Sequence, residues 1–122
     1  MKRVLIVDDS SLLRNGLKRI IFAIPDLILC GEASDFETAV SLINKLMPDI
    51  LILDIDLSPG SGIDVLNSLK ESDSKPVTVV FTNYSQEAYR NKMAELGATY
   101  FFDKSSDIDK LIDVLKKLSE SN

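Results

Sequence analysis

A chain of 122 residues has the length of one domain, and its 45% hydrophobic and 27% charged residues are typical of a globular protein rather than a disordered one. Its 14 basic and 19 acidic residues give a net charge of −5, which argues against direct binding to nucleic-acid phosphates. The sequence contains no histidine, so no site in it can use imidazole chemistry, and its single cysteine permits no internal disulfide.

The amino terminus carries two basic residues and then only four apolar ones before an acidic pair, Asp8 and Asp9. A signal peptide or a membrane-spanning helix needs a longer apolar stretch. We therefore expect a cytoplasmic protein without membrane insertion.

The first predicted unit is a strand followed by a helix. Residues 4–7 are all apolar and end at Asp8 and Asp9, as a buried strand does when it reaches a turn. Ser10 predicts the N-cap of a helix whose apolar residues recur at helical spacing, and Pro25 closes that helix.

The second unit is less apolar. Residues 27–33 predict a weaker strand, in which Cys30 is expected to be a buried small hydrophobe. Ser34 and Glu37 form a capping-box pattern, which predicts the start of a second helix that ends at Pro48.

The third strand, residues 50–53, is apolar at every position and runs directly into Asp54. Such a run has no polar face and is typical of a strand in the middle of a parallel sheet, covered by helices on both sides. Because open α/β sheets bind ligands at the carboxyl ends of their strands, Asp54 is a candidate site residue.

The rest of the chain repeats this alternation. The predicted elements are a turn at 58–62, a short helix at 63–69, a strand at 77–81 ending at Thr82, a helix from Ser85 to Leu96 with Gly97 as its left-handed end, a strand at 99–102 leading to Lys104, and a last helix begun by Ser106 and Asp109.

Five strands alternating with five helices predict an α/β fold with a doubly wound parallel sheet, a single (βα)5 unit with right-handed crossovers. The three fully apolar strands should be central and the two mixed strands should be edges. This agrees with the flavodoxin-like strand order 2-1-3-4-5.

The predicted topology brings polar residues to one edge of the sheet, and these are Asp8, Asp9, Asp54, Thr82 and Lys104. Clustered carboxylates repel one another, and Mg²⁺ with its preference for oxygen ligands relieves the repulsion. A carboxylate beside that ion can attack a phosphoryl group, while an ammonium and a hydroxyl stabilise the transferring oxygens. Taken singly, these residues also fit a helix cap, a turn and a solvated lysine. Their combination favours a site.

In this combination the sequence resembles the receiver domain of two-component response regulators over essentially its whole length, and it is similar to the single-domain chemotaxis and phosphorelay receivers. The resemblance is carried by the pair Asp8-Asp9, Asp54 after an aliphatic strand, Gly62 eight positions later, Thr82 and Lys104. It implies that residues 1–122 form one receiver domain. Since only four residues follow the last predicted helix, we expect no output domain.

The resemblance implies a phosphoacceptor that catalyses only its own phosphorylation and dephosphorylation. Asp54 would receive a phosphoryl group from the phosphohistidine of a sensor histidine kinase or a histidine phosphotransfer protein. Mg²⁺ would be bound by Asp8, Asp9, Asp54 and the backbone carbonyl of Asp56.

The resemblance also implies a switch. The Thr82 hydroxyl would turn toward the phosphate, and Phe101 would rotate inward behind it. The helix from Ser85 to Leu96 has only a sparse apolar stripe, so the surface formed by helix 4, strand 5 and helix 5, including exposed Arg90 and Lys92, is the candidate binding surface for a downstream protein target. The protein would act as a monomer or as a dimer that forms on phosphorylation.

The sequence departs from the family pattern at three places. Ser58 stands where a proline is usual and Pro59 follows it, Ser105 replaces the proline that commonly follows the lysine, and Phe101 replaces a frequent tyrosine. The isomer of the peptide bond before Ser105 is left open, because a cis form there would cost about 2.5–4 kcal/mol. Asp56 and Tyr84 flank the site and are expected to change the lifetime of the phosphorylated state.

Two alternatives remain open at this point. Asp54, Asp56 and Ser58 read as D-x-D-x-S after an aliphatic strand, which is similar to the nucleophile motif of haloacid-dehalogenase-like phosphatases. The other alternative is a receiver-shaped scaffold that binds partners without phosphorylation.

Overall fold

The computed structural model describes residues 1–121 and confirms the predicted alternation of strands and helices. The elements are β1 (Lys2–Val7), α1 (Ser11–Ala23), β2 (Leu27–Ala33), α2 (Phe36–Leu46), β3 (Ile50–Leu53), α3 (Gly62–Leu69), β4 (Val77–Thr82), α4 (Glu87–Glu95), β5 (Tyr100–Asp103) and α5 (Ile108–Glu120). The strands form one parallel sheet in the predicted order β2-β1-β3-β4-β5. None of the helices within residues 1–121 is both long and apolar enough to cross a bilayer.

Apolar side chains cover the sheet on both faces. α1 and α5 pack on one face through Leu17, Ile21, Leu111 and Leu115, and α2, α3 and α4 cover the other. β3 is buried along its whole length. Burying one leucine or isoleucine side chain contributes about 1.5–3 kcal/mol, so the central strands form a rigid support for the residues at their ends.

The mixed strands β2 and β5 lie at the sheet edges, as predicted. The register between β1 and β2 shifts where Val4 and Leu5 face Leu29 and Gly31. Cys30 lies at this irregularity of an edge strand and is half-buried against the core, so the prediction of a buried small hydrophobe is confirmed only in part. Partial burial still raises the pKa of its thiol.

The predicted cap of α1 is confirmed, whereas that of α2 is wrong by one residue. The Ser10 hydroxyl oxygen accepts a hydrogen bond from the Leu13 N–H at 3.2 Å. α2 is capped by Asp35 instead of Ser34, since Asp35 Oδ1 accepts from the Thr38 N–H at 2.8 Å. A carboxylate satisfies the same orphan N–H as a hydroxyl and also complements the helix dipole.

α4 and α5 also begin later than predicted. α4 starts two residues after Ser85, which therefore does not cap it; the Ser85 carbonyl accepts from Arg90 Nε at 3.0 Å instead. α5 starts after Asp107 rather than at Ser106, and Asp107 Oδ2 accepts from the Asp103 N–H at 2.9 Å. In both loops a local hydrogen bond, between residues five or four positions apart, is found where the cap was expected.

The chain turns as predicted after α4, where Gly97 has a φ of 102°. α2 ends at Leu46, and the next residue, Met47, is left-handed with a φ of 49° before Pro48. Among residues 1–121 the one cis peptide bond precedes Pro59, so the bond between Lys104 and Ser105 is trans.

Candidate functional site

The site is built on the carboxyl ends of the central strands. Asp8 follows β1 and Asp54 follows β3, and the backbone N–H of Asp54 donates to the Val7 carbonyl at 2.9 Å. This bond continues the ladder between β1 and β3 by one residue. Both carboxylates are therefore neighbours, and both residues are buried, Asp8 at 2% and Asp54 at 4% exposure.

Lys104 joins these two acids. Its Nζ lies 2.8 Å from Asp8 Oδ2 and 2.8 Å from Asp54 Oδ2. Burial acts to lower the pKa of the lysine, but the hydrogen bonds with Asp54 and Asp8 outweigh it and hold that pKa above its ordinary value. Burial raises the pKa of Asp8 in spite of the lysine. The ammonium is thus a fixed positive charge between two carboxylates.

Three acids can converge on one cation. Asp8, Asp9 and Asp54 each offer a carboxylate oxygen, and these oxygens lie within 4.8 Å of one another. Oxygen donors at this spacing, two of them buried and Asp9 exposed, fit a hard divalent ion that keeps several of its waters. The residues present therefore fit Mg²⁺, as the sequence predicts.

Asp56 is positioned differently from the other predicted ligands. Its side chain is exposed and does not belong to the carboxylate cluster. Its backbone N–H donates to Asp54 Oδ1 at 3.3 Å, and the residue forms an antiparallel bridge with Ser61 that shapes the loop after β3. Ligation by the Asp56 carbonyl stays a prediction.

Gly62 allows this loop to pass close to Asp54. Its N–H donates to the Ile55 carbonyl at 2.8 Å. A Cβ atom added at Gly62 would lie 3.0 Å from the Ile55 Cα and 2.3 Å from the Asp54 carbonyl oxygen, and the second distance is shorter than real Cβ contacts allow. Position 62, which contributes to the family resemblance, is therefore occupied by glycine for a steric reason.

The two predicted switch residues lie beside the site. Thr82 ends β4 fully buried, and its hydroxyl oxygen accepts from the Tyr84 N–H at 3.1 Å. Phe101 lies on β5, half-buried, with the Arg90 guanidinium carbon 4.6 Å from its ring centroid. Their movement on phosphorylation stays a prediction.

A cleft of about 350 Å³ opens beside the carboxylates, lined by Ser10, Leu12, Leu13, Gly16, Asn83 and Lys104. Leu12 is 82% exposed at its rim although it is a large apolar residue. The sequence did not single out Leu12, because a lone apolar residue on the outer face of a helix is common. The cleft gives an outside group access to the lysine that contacts Asp54.

Sequence reasoning also missed Arg14. Its Nη1 donates to the Asp8 carbonyl at 2.7 Å, and its Nε donates to Glu32 Oε1 at 2.8 Å. The only sign in the sequence is that Arg14 precedes the buried Leu17 by three positions, which places both residues on the inner side of α1. Helical periodicity alone reads such a residue as a solvated lysine or arginine.

Comparison with known proteins defines the class. The family model described as the response regulator receiver domain matches residues 4–116. The chain is 35% identical to the sensory transduction protein LytT of Bacillus anthracis, over 96% of this chain and 47% of that protein. It is 30% identical to the transcriptional regulatory protein YdfI of Bacillus subtilis, over 98% and 63%.

Solved structures agree with this class. The response regulator domain of Thermotoga maritima CheB superposes with a TM-score of 0.86 at 28% identity, covering 98% of this chain and 93% of that one. A chain of the CheX-CheY-BeF3-Mg²⁺ complex of Borrelia burgdorferi gives a TM-score of 0.87 at 25% identity, covering 98% and 90%.

These matches show a receiver fold built around an acidic site. The chain belongs to the response regulator receiver domain family, and it is a receiver domain of the two-component type. It spans about half the length of the curated relatives that it matches. Nothing in these matches supports the phosphatase or the scaffold alternative.

Proposed function

We propose that the protein is a phosphoacceptor whose Asp54 carboxylate takes a phosphoryl group from a phosphohistidine on a sensor histidine kinase or a histidine phosphotransfer protein. The observation that carries the proposal is the buried Asp54, held 2.8 Å from the Lys104 ammonium and within 4.8 Å of two further acids. Family membership supports the same reading. The protein would act in the cytoplasm.

The residues have separate tasks in this transfer. Asp54 forms the new P–O bond while the P–N bond of the donor breaks, and the imidazole leaves with the bonding electron pair and takes a proton from water. Lys104 keeps its charge through the step because its pKa is raised, so it can stabilise the charge on the phosphoryl oxygens. Thr82 would donate to one of those oxygens.

A divalent ion completes the charge balance. Asp8, Asp9 and Asp54 would hold Mg²⁺, which when bound neutralises charge on the transferring phosphoryl group. The orientation of Asp54 comes from the chain itself, because its Oδ1 accepts from the Asp56 N–H and its Oδ2 accepts from Lys104.

The donor would enter through the cleft above Lys104. Residues 1–122 contain no histidine, so the imidazole must come from outside this domain. Leu12 at the rim offers an exposed apolar contact beside the opening, which suits a partner that presents its phosphohistidine from a largely apolar surface. A protein donor would thus be held by α1 while its imidazole reaches Asp54.

Output would come from the face of α4, β5 and α5. Met93 is the one fully buried residue of α4; Tyr89 packs against the core half-buried, and the other side chains of this helix are exposed or half-buried. Arg90 and Phe101 lie on this face in mutual contact. The downstream target is another protein or a further segment of the same polypeptide. A phosphorylation-dependent dimer is an equivalent use of this face.

Intact-mass measurement tests the phosphoacceptor directly. Incubation with acetyl phosphate and Mg²⁺ should add the mass of one phosphoryl group, and chelation of Mg²⁺ should prevent it. The addition should be lost in Asp54→Ala and kept in Asp56→Ala, a matched control because Asp56 is an exposed carboxylate two positions away. A phosphoryl adduct that persists in Asp54→Ala would refute the assignment.

A further inference from the structure

Arg14 contacts the backbone of a predicted metal ligand without being a ligand itself. It lies on α1 with 16% of its side chain exposed, and its Nη1 donates to the carbonyl of Asp8 at 2.7 Å. Its Nε donates to Glu32 Oε1 on β2 at 2.8 Å. The planar guanidinium therefore ties the turn after β1 to two neighbouring elements.

The backbone hydrogen bonds of the sheet end just before the Asp8 carbonyl. Pairing between β1 and β2 ends at Val7 and Ala33, and the Asp8 N–H still reaches the Ala33 carbonyl at 3.0 Å. The Asp8 carbonyl lies beyond the last ladder pair, and Arg14 supplies a donor to it. A buried carbonyl left without a donor costs about 1–3 kcal/mol, so this bond fixes the orientation of the peptide.

The carboxylate of Asp8 is fixed by two further bonds from opposite sides. Oδ1 accepts from the Ser10 N–H at 2.8 Å, and Oδ2 lies 2.8 Å from Lys104 Nζ. All three contacts hold the same residue. Without the Arg14 bond, the peptide between Asp8 and Asp9 loses the donor that fixes its orientation, and the Asp9 carboxylate that follows this peptide is no longer held in place.

We infer that Arg14 is a positioning residue of the magnesium site, which sets the orientation of Asp8 and Asp9 by holding the Asp8 carbonyl. The inference rests on the proposed function, since it assumes that these acids bind Mg²⁺. Groups that orient metal ligands typically change metal affinity by about 10–100-fold when they are removed. Arg14 belongs to this class because it acts through the ligand's backbone.

Lys18 provides a matched control on the same network. Its Nζ pairs with Glu32 Oε2, the other oxygen of the carboxylate that Arg14 contacts. Lys18 and Arg14 lie one helical turn apart on α1, and each contributes one ion pair with Glu32. Lys18 makes no bond with Asp8, so replacing it removes an ion pair and leaves both hydrogen bonds of Arg14 in place.

The test compares Arg14→Met with Lys18→Met. Mg²⁺ alone is titrated into each unphosphorylated protein, with amide NMR shifts giving the Kd, and Tm is measured in a chelator. Arg14→Met should raise the Kd for Mg²⁺ about tenfold or more. Lys18→Met should leave that Kd within about twofold of the wild type, because the Asp8 turn keeps its donor.

The outcomes separate the inference from the proposed function. If wild-type protein shows no saturable response to Mg²⁺, the magnesium part of the proposed function fails. If the wild type binds Mg²⁺ and Arg14→Met binds it equally well, or if both variants weaken binding equally, the positioning role is refuted. Arg14→Lys keeps the charge and most of the packing, so it should fold; it should bind Mg²⁺ with a Kd between those of the wild type and Arg14→Met.

Discussion

Gly62→Ala places a methyl group against the backbone that carries Asp54. The new Cβ would lie 2.3 Å from the Asp54 carbonyl oxygen, whereas ordinary contacts of a Cβ begin near 3.4 Å. Both groups are held in place, because the Gly62 N–H bonds the Ile55 carbonyl at 2.8 Å and β3 is buried throughout. No flexible side chain is available to move away, so the backbone at Asp54 must shift by roughly 1 Å.

The size of the effect follows from this clash. Overpacking a rigid site costs about 1–3 kcal/mol in the free energy of unfolding. For a domain of this length each kcal/mol lowers Tm by about 3–6 °C, so the expected loss is about 3–18 °C. The same shift moves the Asp54 carboxylate away from Lys104. The rate of phosphorylation by acetyl phosphate should therefore fall below the wild-type rate by more than the error of the measurement.

Gly16→Ala is the control for this prediction. Gly16 lies in α1, and a Cβ added there meets nothing within 4 Å. Alanine replaces glycine within a helix with a gain of about 0.5–1 kcal/mol, so Tm should rise by a few degrees. Thermal unfolding followed by circular dichroism measures both variants. A Gly62→Ala protein with an unchanged or higher Tm would refute the steric argument.

Three further predictions concern other parts of the molecule. Hydrogen bonds from Ser105 lower the pKa of Asp103 from 3.8 to about 2, so the stability that the Asp103 carboxylate contributes is present above pH 3.8 and is lost as the pH falls toward 2. Ser105→Ala should raise the pKa of Asp103 in a carboxyl NMR titration, and an unchanged pKa would contradict this cause. Leu12→Asp should slow transfer from a phosphorylated protein donor but not from acetyl phosphate. Phe22→Asp, also highly exposed but at the other end of α1, should slow neither reaction; equal slowing by both variants would exclude the cleft as the docking place. Arg90→Met should weaken phosphorylation-dependent binding of the target without preventing phosphorylation, and unchanged binding in a pull-down would count against this face.

The site could be predicted because the strands that carry it are governed by one simple rule. Apolar runs of strand length must be covered on both faces, and alternation with helices makes them parallel. The ends of parallel strands meet at one edge, so the positions of Asp8, Asp54, Thr82 and Lys104 followed from sequence order alone. The structure places Asp8 and Asp54 in contact through Lys104, as this reasoning requires.

The start of α2 could not be predicted to the residue, because two adjacent residues are equally able to cap it. Ser34 and Asp35 both qualify as N-caps, and a tertiary contact decides between them. The Phe36 N–H donates to the Pro59 carbonyl at 3.1 Å, and Phe36 packs so closely on Gly60 that a Cβ there would lie 2.4 Å from its own. The loop after β3 therefore fixes where α2 begins.

Arg14 escaped prediction for a different reason. Periodicity reports which face of a helix is apolar, and a basic residue near the edge of that face is usually solvated. The partner of Arg14 is a backbone carbonyl, and because every residue has one, the sequence does not show which carbonyl Arg14 will contact. Only the path of the turn at Asp8 shows that this carbonyl needs a donor.

The charges of the site suggest how phosphorylation would reach the output face. Three carboxylates and one ammonium leave two negative charges, which one divalent cation balances. An acyl phosphate on Asp54 adds further negative charge and new acceptor oxygens, so it needs another donor. Thr82 has a hydroxyl at the end of β4, the strand paired with β3, and its oxygen now accepts from the Tyr84 N–H.

Recruitment of Thr82 would therefore disturb the loop that leads to α4. The Tyr84 ring packs on Tyr89 with ring centroids 5.4 Å apart, and the next residue of that helix, Arg90, contacts Phe101. A change in the bond between Thr82 and Tyr84 would thus be passed by direct contacts to the aromatic residue on β5. This path predicts that Tyr89→Ala uncouples phosphorylation from target binding while leaving the phosphoryl adduct of Asp54 intact. Target binding that still responds fully to phosphorylation in Tyr89→Ala would exclude it.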